Sequence, residues 1–376
     1  LYATGGDRWL GPVSIDRRPF HLPPKSRPEQ LPPRDWGASS RPVVWAGYAP
    51  EIGVFLGGGA TITHFGFRKL PYASRMFVRG GVATAALTGR VDFFAEVYRR
   101  NSRVRGEFDL KLSGIEILDY HGQGNDTELT ELKEFYRVRE EMVSFEPSLV
   151  LPLGPHGEFG FGPSVKYRKT REQDERILST VDLYGEGGFG LVGVQGRVEL
   201  DTRDVPAAAT RGVHILVGGR MFPPAWDVDS LFGEVHGHAA GYLSAPIPLQ
   251  PTLALRVGGK KVWGPFPFQE AAFIGDAGTV RLARQNRFAG DAAAYGNAQL
   301  RLKLADIFLA LPAQFGIFGL GDVGRVFLDG ESSDTWHWAA GGGIWLAYLR
   351  SANTVSLAVV KSEERIGIYV AAGFGF

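Results

Sequence analysis

Run after run of this chain alternates apolar with polar residues, and nowhere does it offer about 18 uninterrupted apolar residues for a membrane-spanning helix. A side-chain period of two belongs to a β-strand, because successive Cβ atoms point to opposite faces. Phe108, Leu110 and Leu112 alternate strictly with Glu107, Asp109, Lys111 and Ser113. Val143, Phe145, Leu149 and Leu151 oppose Ser144, Glu146 and Ser148. Val192, Val194, Val198 and Leu200 oppose Gln195, Arg197, Glu199 and Asp201, and Ala298, Leu300, Leu302 and Leu304 oppose Asn297, Gln299, Arg301 and Lys303.

A soluble sandwich also alternates, so strand length and number must decide. Many of these runs reach about 10–14 residues, long for a sandwich but right for tilted strands crossing a bilayer. Strand-like runs from 43–49 through 366–376 number about sixteen, an even count as bacterial barrels require. Short turns such as 153–156 and 349–351 alternate with long polar stretches such as 171–180, the expected asymmetry of periplasmic turns and extracellular loops. The fold predicted is therefore all-β: an antiparallel transmembrane β-barrel over residues 42–376. It follows a Pro-rich extension or linker at 1–41, where Pro19 to Pro42 cannot sustain a helix or a ladder. Leu1 opens on no recognisable secretion leader, as expected of a processed chain or of one that continues a longer precursor.

Composition agrees. Mean hydropathy is −0.07, which two opposed strand faces produce by cancelling each other. A net charge of +1 gives no global basic bias, so nucleic acid is not an expected partner. The absence of Cys fits an oxidising compartment. Outer-membrane lipids and lipopolysaccharide are the expected surroundings. In the final run Ile366, Ile368, Val370, Phe374 and Phe376 share one face, and an aromatic at the end of such a strand resembles the assembly signal of outer-membrane proteins.

Several motifs together resemble the BamA/TamA superfamily of outer-membrane assembly factors and transporters, the bacterial surface-antigen barrel. Ala46-Gly47-Tyr48 followed by Gly53 and Gly57 to Gly59 looks like the family's short first strand and glycine-rich second. Asp201, Arg203 and Asp204, then Pro206 and Gly212, look like its link between two central strands. Gly275, Val280-Arg281, Asn286-Arg287-Phe288, Gly290 and Gln299-Leu300-Arg301 resemble its long inward-folded loop and the strand after it, and Asp322-Val323-Gly324 resembles the strand facing that loop. The resemblance implies that the loop lies inside the lumen with Arg281 paired to Asp322. It also implies a seam formed by Gly47 and Tyr48 against Phe374 and Phe376. Leu282-Ala283 stand where the family usually carries Gly and an aromatic. Insertases of the family carry POTRA modules ahead of the barrel, and the Pro-rich residues here do not resemble one. Segments 33–37, 66–72 and 120–127 look closer to barrels fused behind metallophosphatase-like domains.

No enzymatic centre emerges from these residues, and no cofactor is called for. His156, His214 and His337 are scattered without a readable triad. Glu234, His236 and His238 share one strand face and are weak candidates for a metal, although a polar lumen wall explains them equally. The glycine runs 57–59 and 341–343 lack the Lys-Ser/Thr and helix of a phosphate loop and serve barrel curvature. Trp336, Trp338 and Trp345 suit interfacial girdle or lumen positions. The function implied is a non-enzymatic outer-membrane barrel that anchors, inserts or helps translocate a polypeptide. The other readings are a structural subunit of an outer-membrane complex, the membrane anchor of a processed upstream enzyme domain, and a passive pore.

Overall fold

A computed structural model describes residues 34–49, 53–84, 88–171, 175–282 and 284–376. The strands are β1 (Ala38–Ala49), β2 (Gly53–Gly66), β3 (Lys69–Ala83), β4 (Thr88–Tyr98), β5 (Arg105–Asp119), β6 (Arg137–Leu153), β7 (Gly157–Arg171), β8 (Gly188–Asp201) and β9 (Gly212–Phe222). They continue as β10 (Phe232–Ser244), β11 (Thr252–Trp263), β12 (Ala272–Ile274), β13 (Phe288–Gly290), β14 (Ala292–Leu309), β15 (Leu311–Phe327), β16 (His337–Tyr348), β17 (Thr354–Ser362) and β18 (Ile366–Ala372). Sixteen of them form one antiparallel sheet in simple chain order. The exception to neighbour pairing is β11 with β14, which brackets the segment carrying the small β12–β13 hairpin.

These ladders fall where the alternation placed them, with shifts at the ends. β1 begins at Ala38, inside the segment assigned to the extension, and residues 1–33 of that segment lie outside the described residues. β3 starts at Lys69, and β18 stops at Ala372 instead of running to 376. The connections do alternate in length: β14 and β15 are joined through Ala310 alone, whereas 120–136 and 264–291 are long.

Orientation separates this molecule from a soluble sandwich. Val194 is 60% exposed, and Leu255, Leu300 and Val323 also face outward, while Arg301 is 4% exposed and Glu107, Lys166, Asn297 and Gln299 are buried on the opposite face. A soluble sheet would bury the first set and wet the second. The chain does the reverse, as a barrel standing in lipid must. Many of the inward charges are paired: Arg105 grips Glu158 through two hydrogen bonds of 2.9 Å, and Arg220 donates to Glu234 at 2.7 Å. Trp336 and Trp338 are exposed, whereas Trp345 is buried inside.

At the long-loop end the interior is filled by protein. Ile274, Val280, Leu282 and Phe288 from the β11–β14 connection pack with Phe222, Phe232, Val262, Val326 and Val360 from the wall. Burying each such side chain stabilises the inward position by roughly 1.5–3 kcal/mol, so the segment stays in the lumen although its ends are tied to strands. The structure is thus an all-β, 16-stranded barrel-type sheet with a long loop folded inside it.

Candidate functional site

The loop crosses the lumen as a strap with two main anchors. On one side, Arg281 is 5% exposed and Asp322 of β15 is 4% exposed. Arg281 donates to both carboxylate oxygens, Nε to Oδ2 and Nη2 to Oδ1, each at 2.6 Å, and its backbone N–H adds a third bond at 3.2 Å. Neighbouring strands present a row to receive it, because Arg256 of β11 faces Asn297 of β14, which faces Asp322. Asn297 donates to Asp322 Oδ1 at 2.8 Å and to the loop carbonyl of Thr279 at 2.7 Å, while Arg256 donates to Asn297 at 2.9 Å and to Gly278 O at 2.7 Å. A planar guanidinium on a carboxylate is directional, so this set fixes the position of the loop as well as its depth. Gly324 explains the glycine of the strand motif: a Cβ there would stand 2.7 Å from Val280 of the strap.

The second anchor gave no signal in the sequence. Glu270, in a one-turn 3-10 helix of the strap (Phe268–Glu270), accepts from Lys166 Nζ at 3.0 and 3.2 Å, and Arg168 lies 3.4 Å away. All three belong to the interior, and the two cations sit on β7, so the strap reaches from β7 to β15. Arg168 also donates to Glu140 at 3.2 Å.

The remaining loop residues tie the strap to its surroundings at the long-loop end. Arg287 donates to Thr127 Oγ1 and O at 2.7 and 2.6 Å and pairs with Glu364 in the β17–β18 turn. Phe288 stacks on His337 with ring centroids 3.7 Å apart, and His337 lies 3.1 Å from Glu363. Asn286, at φ 50°, offers its carbonyl to His121 Nδ1 at 3.4 Å. Burial, with the Arg287 guanidinium nearby, pushes His121 down to about 4. Gly290 pairs with Ala272 in the small hairpin, and Gly275 sits at its other end with φ 129°.

The central motif organises a turn at the opposite end of the barrel. Arg203 donates to both oxygens of Asp201, at 2.9 and 2.7 Å. Asp204 accepts from Val205 N, Thr210 N and Thr210 Oγ1 at 2.9, 2.9 and 2.6 Å, and Gly212 starts β9 at φ 109°. Burial alone would raise the Asp204 carboxyl, but these donors outweigh it and hold it below the usual range.

The residues assigned to the seam do not lie together. Gly47 and Tyr48 pair within β1–β2, opposite Phe55 and Val54. Phe374 and Phe376 leave the sheet instead of continuing it. Gly373 takes φ 87°, a left-handed turn that a side chain would resist, and Phe374 N then donates to Ala207 O at 3.2 Å. Both rings enter the lumen: the Arg301 guanidinium lies 3.9 Å from the Phe374 ring and that of Arg256 lies 4.8 Å from the Phe376 ring. Arg301 also donates to Phe376 O at 2.8 Å and to Gln299 Oε1 at 3.0 and 3.1 Å. Among the described residues no backbone pairing joins β18 to β1. Val44 of β1 is 87% exposed and Ile368 of β18 is 72% exposed.

The three weak metal candidates do not converge on one point. Glu234 is already neutralised by Lys260 at 2.6 Å and Arg220 at 2.7 Å, with His236 at 3.4 Å. His238 turns away from it to His214, its Nε2 3.2 Å from His214 Nδ1.

No family model matches the sequence, and no curated protein matches it. Solved structures do match in fold. BamA from Haemophilus ducreyi lacking POTRA domains 1-3 superposes with a TM-score of 0.61 at 13% identity, over 89% of this chain and 70% of that one. CdiB from Escherichia coli gives 0.57 at 13% identity, over 92% of this chain and 64% of that one. CdiB from Acinetobacter baumannii gives 0.50 at 10% identity, over 89% and 59%. The chain therefore spans less than two thirds of either CdiB chain, and at these identities the likeness is one of fold.

Proposed function

We propose that this chain is a non-enzymatic barrel of the bacterial outer membrane that helps insert or translocate polypeptides, with the gap between β1 and β18 as the working edge. One observation carries the reading: the two ends of the sheet leave their outward backbone groups without a partner strand among the described residues. In a bilayer each unpaired N–H and C=O costs several kcal/mol, so such edges favour any extended segment that can hydrogen-bond to them. The fold shared with BamA and CdiB supports the same reading, as does the strap held in the lumen, which argues against a wide passive pore. Segments 33–37, 66–72 and 120–127 favour the subgroup of barrels fused to metallophosphatase-like domains, and on that reading the chain also serves as a membrane anchor.

The test uses the absence of cysteine from the chain. Val44 and Ile368 both face outward on the two edges, so V44C and I368C together form the only thiol pair. The doubly substituted protein is reconstituted in liposomes and given an unfolded outer-membrane β-barrel client, with insertion read by protease protection. Bridging the two thiols with a bismaleimide that carries a disulfide in its spacer is expected to stop insertion, and reducing the spacer to restore it. A fully formed cross-link that leaves insertion unchanged sinks the proposal.

A further inference from the structure

A second constellation lies at the short-turn mouth of the barrel, apart from both strap anchors. The adjoining ends of β8 and β9 place Asp201 directly opposite His214, and Glu199 lies two residues back on the same face of β8. One ligand atom from each of the three falls within 4.8 Å of the others, and Glu199 Oε1 is 3.0 Å from His214 Nε2. We propose that Glu199, Asp201 and His214 form a binding site for a divalent transition cation of the zinc class.

Three features beyond proximity support it. First, the donors are already oriented by partners that leave their metal-facing lone pairs free. His238 Nε2, 3.2 Å from His214 Nδ1, is placed to accept that ring's proton, which frees Nε2 of His214 for a cation. This is the outer-shell arrangement that metal-binding imidazoles commonly have. Arg203 plays the same part for Asp201: its guanidinium holds both oxygens and its backbone N–H adds a bond to Oδ1 at 3.0 Å, so of about four acceptor positions on an ionised carboxylate one is left for a cation. Second, neighbouring residues make room. The row of Asp201 and His214 continues on β10 with Ala240, and its small side chain lets the His238 ring reach across. Third, the site is open, because Glu199, Asp201 and His214 each retain some exposure at the mouth. A cation can enter without moving the strap.

The shell needs little rearrangement. Bonds of about 2.0–2.1 Å in a tetrahedron set donor separations of about 3.3 Å; Glu199 Oε1 and His214 Nε2 are already 3.0 Å apart, and Asp201, within 4.8 Å of both, closes the set by a shift of about an ångström. Three protein ligands leave a fourth position for water. An imidazole with two carboxylates favours zinc, copper or nickel over magnesium or calcium.

The test uses the full chain, without an affinity tag, purified in detergent micelles and stripped with chelator. Titration with zinc chloride alone, followed by calorimetry, is expected to show one site per chain that survives excess magnesium. H214A and E199Q are expected to abolish it or weaken it at least tenfold, and H238A to weaken it about tenfold by unlocking the ring. H236A is expected to leave it unchanged. Cobalt(II) substitution gives a second readout, as its visible absorption should collapse in H214A. Retention of the heat-modifiable gel shift establishes that each variant is folded. Absence of saturable zinc uptake, or equal uptake by folded H214A and E199Q, overturns the proposal.

Discussion

The two anchors of the strap are built from different cations, and the difference predicts how each will fail. Arg281 meets Asp322 in a planar, two-pronged pair whose Oδ1 also accepts from Asn297, itself held by Arg256. Glu270 rests mainly on Lys166, a point charge with two bonds from one nitrogen, and shares Arg168 with Glu140. A guanidinium is a rigid planar fork, whereas an ammonium is a compact charge on a flexible stem that can turn toward another acceptor when its partner is removed. The first anchor is therefore rigid and costly to break. The second can relax by swinging its lysine.

The largest effect is expected from D322A. It leaves Arg281 buried without a counter-charge, which typically costs about 3–5 kcal/mol. Denaturant unfolding in micelles should report the loss, and a cysteine introduced at Thr279 should become open to a water-soluble maleimide. A stability within 1 kcal/mol of the parent would show that the two anchors are not distinguished as argued. E270A is expected to cost less, about 2 kcal/mol, because the flexible Lys166 can turn to another acceptor and Arg168 keeps Glu140. The same unfolding assay compares the two variants directly, and an E270A loss equal to that of D322A removes the lysine argument.

The third hold, around Arg287, is sensitive to acid. His121 packs against Tyr136 beside the strap, and its folded value near 4 lies below the ordinary 6.5. Below pH 6.5 the unfolded chain takes up a proton that the folded ring refuses, so stability falls with falling pH and levels off near pH 4. Between pH 7 and pH 5 the loss is about 2 kcal/mol. Unfolding curves at the two pH values, with H121F as the insensitive reference, measure it. An identical slope for parent and H121F removes His121 as the cause.

Much of this architecture is legible in the sequence. Alternation marked nearly every ladder because lipid outside and polar groups inside impose a strict two-residue code on each strand. Motif order pointed to Arg281 and Asp322, and the structure brings them together. Glu270 and Lys166 escaped notice because a contact across 104 residues, between an irregular loop and a strand, has no periodic signature. The inward turn at Gly373 was hidden for the opposite reason. Phe374 and Phe376 continue the alternation perfectly, and only the left-handed glycine, backed by Ala207, redirects them. The cluster of Glu199, Asp201, His214 and His238 depends on register between three strands, which pattern alone does not specify.

That redirected tail has a mechanical consequence. With its final aromatics spent on the interior, β18 keeps seven residues, where β1 has twelve and β15 has seventeen. Any zipper between the two borders of the sheet can thus close over seven teeth at most, and the rest of β1 stays unmatched even when the fastener is shut.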